Sequence, residues 1–76
     1  MSNINNGNVN NNIDQITLDQ YIGDYADRAV EQLKAMHPGF EVQKLHQDLM
    51  TTADYVVYRI RVRHDNLFRV TSVSHG

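Results

Sequence analysis

Three arginines occupy alternate positions late in the 76-residue chain, at Arg59, Arg61 and Arg63. Alternate side chains of a β-strand point to the same face, so a strand here would place three guanidinium groups in one row. Like charges in such a row repel one another unless acceptor groups lie between or beside them. A guanidinium group donates hydrogen bonds in fixed directions and pairs well with carboxylates. The spacing therefore raises the question of which groups accept hydrogen bonds from the arginine row.

Three interpretations of the arginine row remain open on the residues alone. The first is a solvated strand face, which is common on protein surfaces. The second is a nucleic-acid patch, which three arginines without flanking lysines support poorly. The third is a loop that precedes the strand and folds back over the sheet, so that Asp54 and the Thr52 hydroxyl lie near Arg59 and Arg61. Charge-assisted hydrogen bonds would then make the loop rigid without a disulfide, since the chain has no cysteine.

Other residues that could carry chemistry do not form a recognisable site. The four histidines, which show no metal-ligand spacing, are His37, His46, His64 and His75. No pair of carboxylates is placed for acid–base catalysis, and no glycine-rich loop could bind a phosphate group. We therefore expect a protein that is not an enzyme and that has no cofactor and no metal.

The size and composition of the chain limit its function class. Seventy-six residues form at most one domain with a small core. The formal net charge of -2 argues against a nucleic-acid partner, and no apolar run approaches the length of a membrane span. The opening residues, MSNINNGNVNNN, lack the basic start and the apolar region of a secretory signal. We expect no nucleic-acid or membrane partner, and either a cytoplasmic protein or a processed or leaderless secreted form.

The first half of the chain contains a tail, a short extended segment and a helix. Asparagine dominates residues 1–15, which we interpret as a disordered tail, with the domain over residues 16–76. Residues 16–23 suit a short extended segment. Apolar residues at helical spacing predict a helix over residues 24–39, with Asp24 as its N-cap and acidic Asp27 in its first turn. The sequence His-Pro-Gly at positions 37–39 ends this helix.

The second half reads as three strands that surround a long loop. A half-buried strand begins at Phe40, and residues 46–54 have no regular period, which is typical of a loop. The next strand is expected from Tyr55 to Arg63, and Asp65-Asn66 makes a turn before a last strand over residues 67–73. The predicted fold is α+β: a single small domain in which one helix packs on a small mixed β-sheet, with a long exposed loop.

A set of residues at particular spacings extends along most of the chain: Gly23 before the helix, Ala29 within it, Pro38 after it, Phe40, Glu41, Val42 and Leu45 in the next strand, and the run RIRV at 59–62. In these residues the chain resembles, over residues 18–74, the potato type I family of serine-proteinase inhibitors. In that family the binding loop carries a threonine, then P1 (the residue before the bond that the enzyme attacks), then an acidic residue. Here these are Thr52, Ala53 and Asp54.

The resemblance implies a substrate-like, reversible inhibitor that binds a serine proteinase with the bond between Ala53 and Asp54 in the active site. Arg59 and Arg61 would support the loop. The alanine at P1 favours a subtilisin-like or elastase-like partner, and we expect the inhibitor to be a monomer. The other residues implied to contact the proteinase are Leu49, Met50, Thr51, Thr52, Tyr55 and Val56.

One departure from the family keeps a second hypothesis open. Val56 stands where the family often has an arginine, two residues after the acidic one. Other departures are His46 and Asp48 early in the loop, where the family has proline and glycine. The alternative to an inhibitor is a non-inhibitory protein-interaction module on the same fold.

Overall fold

The computed structural model describes residues 13–76. Its elements are α1 (Gln15–Asp19), α2 (Ala26–Met36), β1 (Glu41–His46), β2 (Arg59–His64) and β3 (Val70–His75). Strand β2 lies in the middle of the sheet, parallel to β1 and antiparallel to β3. The predicted α+β domain with a small mixed sheet is confirmed.

The segment predicted to be extended, residues 16–23, instead begins with the short helix α1. Asp14 has an extended backbone, and its carboxylate accepts a hydrogen bond from the Ile16 N–H at 3.0 Å, which caps the helix. Leu18 is fully buried, while the Gln15 side-chain amide donates to the Val73 carbonyl at 2.8 Å. A helix this short shows no full apolar period, so the pattern of the sequence did not reveal it.

Residues 13–15, which the sequence analysis assigns to the tail, contact the domain. Ile13 packs against the core, Asp14 caps α1, and Gln15 is the first residue of that helix. The remainder of the predicted tail, residues 1–12, lies outside the described residues.

Helix α2 matches the prediction, except at its first residue. Tyr25 occupies the N-cap position and makes no side-chain cap bond, so the assignment of Asp24 as N-cap is wrong. The reason is that this connection pairs with β3: the Asp24 carbonyl accepts from the Val70 N–H at 2.8 Å, and Tyr25 forms a bridge with Arg69. The last helical residue is Met36, and His37 is the C-cap, so the helix ends at the His-Pro-Gly sequence as predicted.

The core lies between α2 and one face of the sheet. Its buried apolar residues are Leu18, Tyr21, Ala26, Ala29, Leu33, Ile60, Val62, Val70 and Val73. Every element except β1 contributes a residue to this set, while Val42 of β1 packs against its edge. The arginine row of β2 lies on the opposite face from Ile60 and Val62, because successive residues of a strand alternate.

Strand β2 begins at Arg59, so the prediction of a strand from Tyr55 is wrong at its start. Residues 55–58 belong instead to the connection from β1, which we call the arginine-side loop and define as residues 47–58. Parallel strands cannot be joined by a tight turn, because the chain must return to the other end of the sheet before it pairs again. The parallel pairing of β1 with β2 therefore requires a long connection, and here that connection is the loop.

The turn predicted at Asp65-Asn66 is present, but β3 starts and ends later than predicted. The Asp65 carboxylate accepts from the N–H groups of Arg69 at 3.0 Å and Leu67 at 2.8 Å. These bonds, the Arg69 N–H first, lower the pKa of Asp65. Phe68 adopts a positive φ of 61°, so the chain is still turning at residue 68.

Candidate functional site

The face of β2 that carries the arginines supports the arginine-side loop. Arg59, Arg61 and Arg63 reach successive parts of the loop, in reverse order along the chain, and the last two share the Thr51 hydroxyl. The first binds the part nearest to β2 and the last binds the part nearest to β1. The structure thus brings the loop into contact with the arginine row that directly follows it in the sequence.

Arg59 holds the loop at Asp54. Its Nη2 donates to the Asp54 carbonyl at 2.8 Å, and its Nη1 lies 3.4 Å from the carboxylate Oδ2 of the same residue. Its Nε donates to the Gly76 carbonyl at 3.0 Å. Although charged, Arg59 is only 6% exposed, and these acceptors compensate for the water that its guanidinium has lost.

Arg61 holds the residues just before the predicted P1 position. Its Nη1 donates to the Thr52 carbonyl at 3.2 Å and to the Thr51 hydroxyl at 3.3 Å. Its Nε donates to the Gln43 side-chain oxygen on β1 at 3.2 Å. The Thr52 hydroxyl, which the sequence analysis placed near the arginines, donates instead to the Asp54 carboxylate.

Arg63 is a third contact to the loop that the sequence analysis did not assign. Its Nη1 donates to the Leu49 carbonyl at 2.7 Å and to the His46 carbonyl at 3.3 Å. Its Nη2 donates to the Thr51 hydroxyl at 2.9 Å. The alternating spacing of the row already placed this residue on the same face, so the signal was present in the sequence. The family resemblance implied a supporting role for Arg59 and Arg61 alone.

The electrostatics of the row favour a charged Asp54. The hydrogen bond from the Thr52 hydroxyl lowers the pKa of Asp54, and the positive charge of Arg59 lowers it further. Among the described residues, the ion pair of Asp54 with Arg59 is the one that joins the row to a carboxylate. Arg61 and Arg63 bind neutral oxygens, which accept their hydrogen bonds without cancelling their charge.

The last residues of β3 hold the other side of the loop. The His75 ring nitrogen Nε2 lies 2.6 Å from the Val57 carbonyl, and the His75 and Tyr55 rings are 5.8 Å apart. Gly76 has φ +123° and lies so close to the Tyr55 ring that an added Cβ would stand 2.4 Å from a ring carbon. These contacts were not predicted, because β3 was expected to end at residue 73.

The side chains of the loop face solvent although its backbone is held. Met50 is 91% exposed, and Leu49 and Tyr55 are more than half exposed. Thr51, Thr52, Ala53 and Asp54 are exposed as well, whereas Val56 is half-buried. A second protein could therefore contact residues 49–55 from outside without disturbing the hydrogen bonds beneath them.

The described part of the chain offers no other kind of site. Residues 13–76 contain no group of histidines and carboxylates that could hold a metal ion, and they enclose no pocket for a small ligand. Neither helix in this range has the length and apolar character to cross a membrane. The arginine-side loop is thus the candidate functional site.

Comparisons with known proteins identify the fold. No family model matches the chain, and no curated protein matches its sequence. Among solved structures 34 chains match. One is the elastase inhibitor AFUEI, with a TM-score of 0.59 and 21% sequence identity, over 82% of this chain and 87% of that chain. The chain therefore has a fold similar to that of an elastase inhibitor.

Proposed function

We propose that this protein is a substrate-like, reversible inhibitor of serine proteinases and that it acts through the bond between Ala53 and Asp54. One observation carries the proposal. The side chains of residues 49–55 are exposed, yet the carbonyls of Leu49, Thr52 and Asp54 each accept a hydrogen bond from a different arginine of β2. A loop with this arrangement presents its side chains while its backbone stays in place.

A rigid loop affects both binding and cleavage. Binding loses less conformational entropy when the loop is already ordered, so more of the contact energy appears as affinity. When the catalytic serine attacks the Ala53 carbonyl, the departing amine belongs to Asp54. Arg59 holds that residue by its carbonyl and its carboxylate, so the amine remains beside the acyl-enzyme and can attack it again. Re-formation of the bond then competes with hydrolysis by water.

The side chains on the loop favour a proteinase with a small or permissive primary pocket. Ala53 at P1 fits subtilisin-like and elastase-like enzymes, and it offers no positive charge to the buried aspartate of a trypsin-like pocket. Met50, at P4, suits an enzyme with an apolar fourth pocket. The fold similarity to an elastase inhibitor and the residue match to the potato type I family both support this class of partner.

The proposal includes the other properties expected of such an inhibitor. The protein would act as a monomer, without a cofactor, and would catalyse no reaction of its own. The proposed domain includes residue 76, which is supported by the bonds that Gly76 makes to Arg59 through its carbonyl and its N–H. The side chain of Val56, which stands where the family often has an arginine, is half-buried.

Titration of a proteinase panel tests the proposal. The pure protein is assayed against a subtilisin-like, an elastase-like and a trypsin-like enzyme, with Ala53→Arg alongside. We expect wild type to inhibit the first two, and the variant to bind trypsin on the order of 100-fold more tightly than wild type does.

Gln32→Arg is the matched control, since it adds the same charge at an exposed position of α2. It should leave all inhibition constants unchanged. Equal inhibition of trypsin and subtilisin by wild type would contradict the placement of P1. A wild type that inhibits none of the enzymes would support the non-inhibitory module instead.

A further inference from the structure

Met50 is the most exposed large apolar side chain of the described residues, and both of its neighbours are bound by one arginine. Its side chain is 91% exposed, which leaves its apolar surface in water. Arg63 donates to the Leu49 carbonyl through Nη1 at 2.7 Å and to the Thr51 hydroxyl through Nη2 at 2.9 Å. We infer that Arg63 is a positioning residue that presents Met50 to an apolar pocket of the partner proteinase, an inference that rests on the proposed function.

The geometry of the guanidinium group explains how one side chain can do this. Its two terminal nitrogens point in fixed directions from a rigid plane, so two acceptors bound to them are fixed relative to each other. Those acceptors flank Met50 on either side along the chain. The chain is therefore held on both sides of residue 50, at the Leu49 carbonyl and at the Thr51 side chain, while the Met50 side chain takes no part in these hydrogen bonds. The Arg63 Nη1 also reaches the His46 carbonyl at 3.3 Å, which links the loop to the end of β1.

Arg63 differs from the other two arginines in its distance from the reactive bond along the chain. Arg59 binds Asp54, and Arg61 binds Thr52, so both touch a residue adjacent to Ala53. The loop residues that Arg63 binds precede these, although Arg61 shares one of them, since it also donates to the Thr51 hydroxyl at 3.3 Å. Its loss should therefore weaken recognition at Met50 more than it affects the fate of the Ala53–Asp54 bond.

The chemistry of Met50 indicates the kind of pocket it would enter. A methionine side chain is unbranched and polarisable, so it adapts to apolar cavities of irregular shape. Several of its rotatable bonds become fixed on binding, which costs conformational entropy. A backbone that is already ordered adds less to this cost. The partner would thus present a hydrophobic fourth pocket next to a small primary pocket.

A double-mutant cycle on the inhibition constant for subtilisin tests the inference. Met50→Ala and Arg63→Ala should each weaken inhibition on the order of 10-fold. The double variant should be about as weak as either single one, because an alanine at position 50 leaves nothing for Arg63 to present. Arg63→Lys keeps the charge without the two-nitrogen fork, so it should resemble Arg63→Ala.

Arg69→Ala is the matched control, since Arg69 binds Gly23 and Tyr25 and no loop residue. Combined with Met50→Ala, it should add no further effect. Backbone ¹⁵N order parameters of the free protein give a second readout. In Arg63→Ala they should fall at residues 49–51 and stay unchanged at residues 54–56.

The possible outcomes separate the two proposals. A double variant about 100-fold weaker than wild type would show independent effects and overturn the role of Arg63. Full inhibition by Arg63→Lys, or unchanged order parameters at residues 49–51, would overturn it as well. A wild type that inhibits no enzyme of the panel overturns the proposed function and this inference together.

Discussion

The two faces of strand β2 contact their neighbours through different interactions. On one face Ile60 and Val62 have no exposed surface and pack into the core beneath α2. On the other, Arg61 and Arg63 are half-buried and bind the arginine-side loop through hydrogen bonds. Apolar burial is non-directional and scales with area, whereas a guanidinium bond depends on distance and angle.

One strand therefore contributes to stability mainly through its apolar face and determines the geometry of the loop through its arginine face. The apolar face contributes directly to the free energy of folding, because fully burying one aliphatic side chain contributes about 1.5–3 kcal/mol. The arginine face contributes less net stability, since each of its hydrogen bonds replaces one to water. It determines instead where the carbonyls of the loop lie. Substitutions on the two faces should therefore affect different measurements.

The largest effect is expected on the apolar face. Ile60→Ala should lower the free energy of unfolding by about 2–5 kcal/mol, because it leaves a cavity beside α2. Urea denaturation measures this loss, with Ile60→Val as the conservative control at about 0.5–1.5 kcal/mol. Under conditions where both variants stay folded, the inhibition constant should match that of wild type. A large rise in that constant for folded protein would contradict the separation of the two faces.

Substitutions on the arginine face are expected to lower stability less than Ile60→Ala does, and to change function more. Arg59→Ala and Arg61→Ala each remove hydrogen bonds from a charged donor, which costs about 1.5 kcal/mol at the low end for such bonds. The loop should become mobile, and the protein should change from inhibitor to substrate, cleaved after Ala53 because the amine product escapes.

Mass spectrometry of a subtilisin digest over several hours measures this change. Arg28→Ala removes an exposed arginine from α2 and serves as the control. A solvated arginine face predicts no change in cleavage, so an intact Ala53–Asp54 bond in both arginine variants would remove their supporting role.

The smallest effect is expected from pH. The hydrogen bond from Thr52 and the charge of Arg59 lower the pKa of Asp54 below its ordinary 3.8. A carboxylate with a lowered pKa in the folded state stabilises that state above its unfolded pKa, and this contribution disappears as the pH falls through the folded value. Loop order should thus be constant at neutral and mildly acidic pH and should decrease below about pH 3.8.

NMR titration of the Asp54 carboxyl carbon measures its midpoint directly. Thr52→Val removes the donor hydroxyl at nearly constant shape, so it should raise that midpoint, whereas Thr17→Val on α1 should leave it unchanged. A midpoint at or above 3.8 in wild type would contradict the expected shift.

The sequence predicted the parts of the fold that have a clear period. The apolar stripe of α2 and the alternation through Ile60 and Val62 were sufficient for the helix, the central strand and the mixed sheet. Helix α1 was missed because it has five residues, of which Leu18 alone is buried. The loop was predicted too short, since Tyr55 and Val57 continue the alternation of β2 although the chain there turns away from the sheet.

The candidate site was predictable to the extent that it depends on the spacing of β2. Alternation placed all three arginines on one face, and proximity in sequence suggested the loop as their partner. The particular acceptors could not be predicted, because most are backbone carbonyls, which every residue carries. The contacts of His75 and Gly76 depend on the register of β3 with β2, which the turn at residues 65–69 sets.

The parallel pairing of β1 with β2 has a consequence for what a cut in the loop would produce. A break between Ala53 and Asp54 divides the domain into a piece with both helices and β1 and a piece with β2 and β3. The surface between the two pieces is the hydrophobic core, to which one piece contributes Leu33 and the other Ile60, together with the full β1–β2 ladder. Cleavage would thus change the quaternary structure, from one chain to a heterodimer, before it changed the fold.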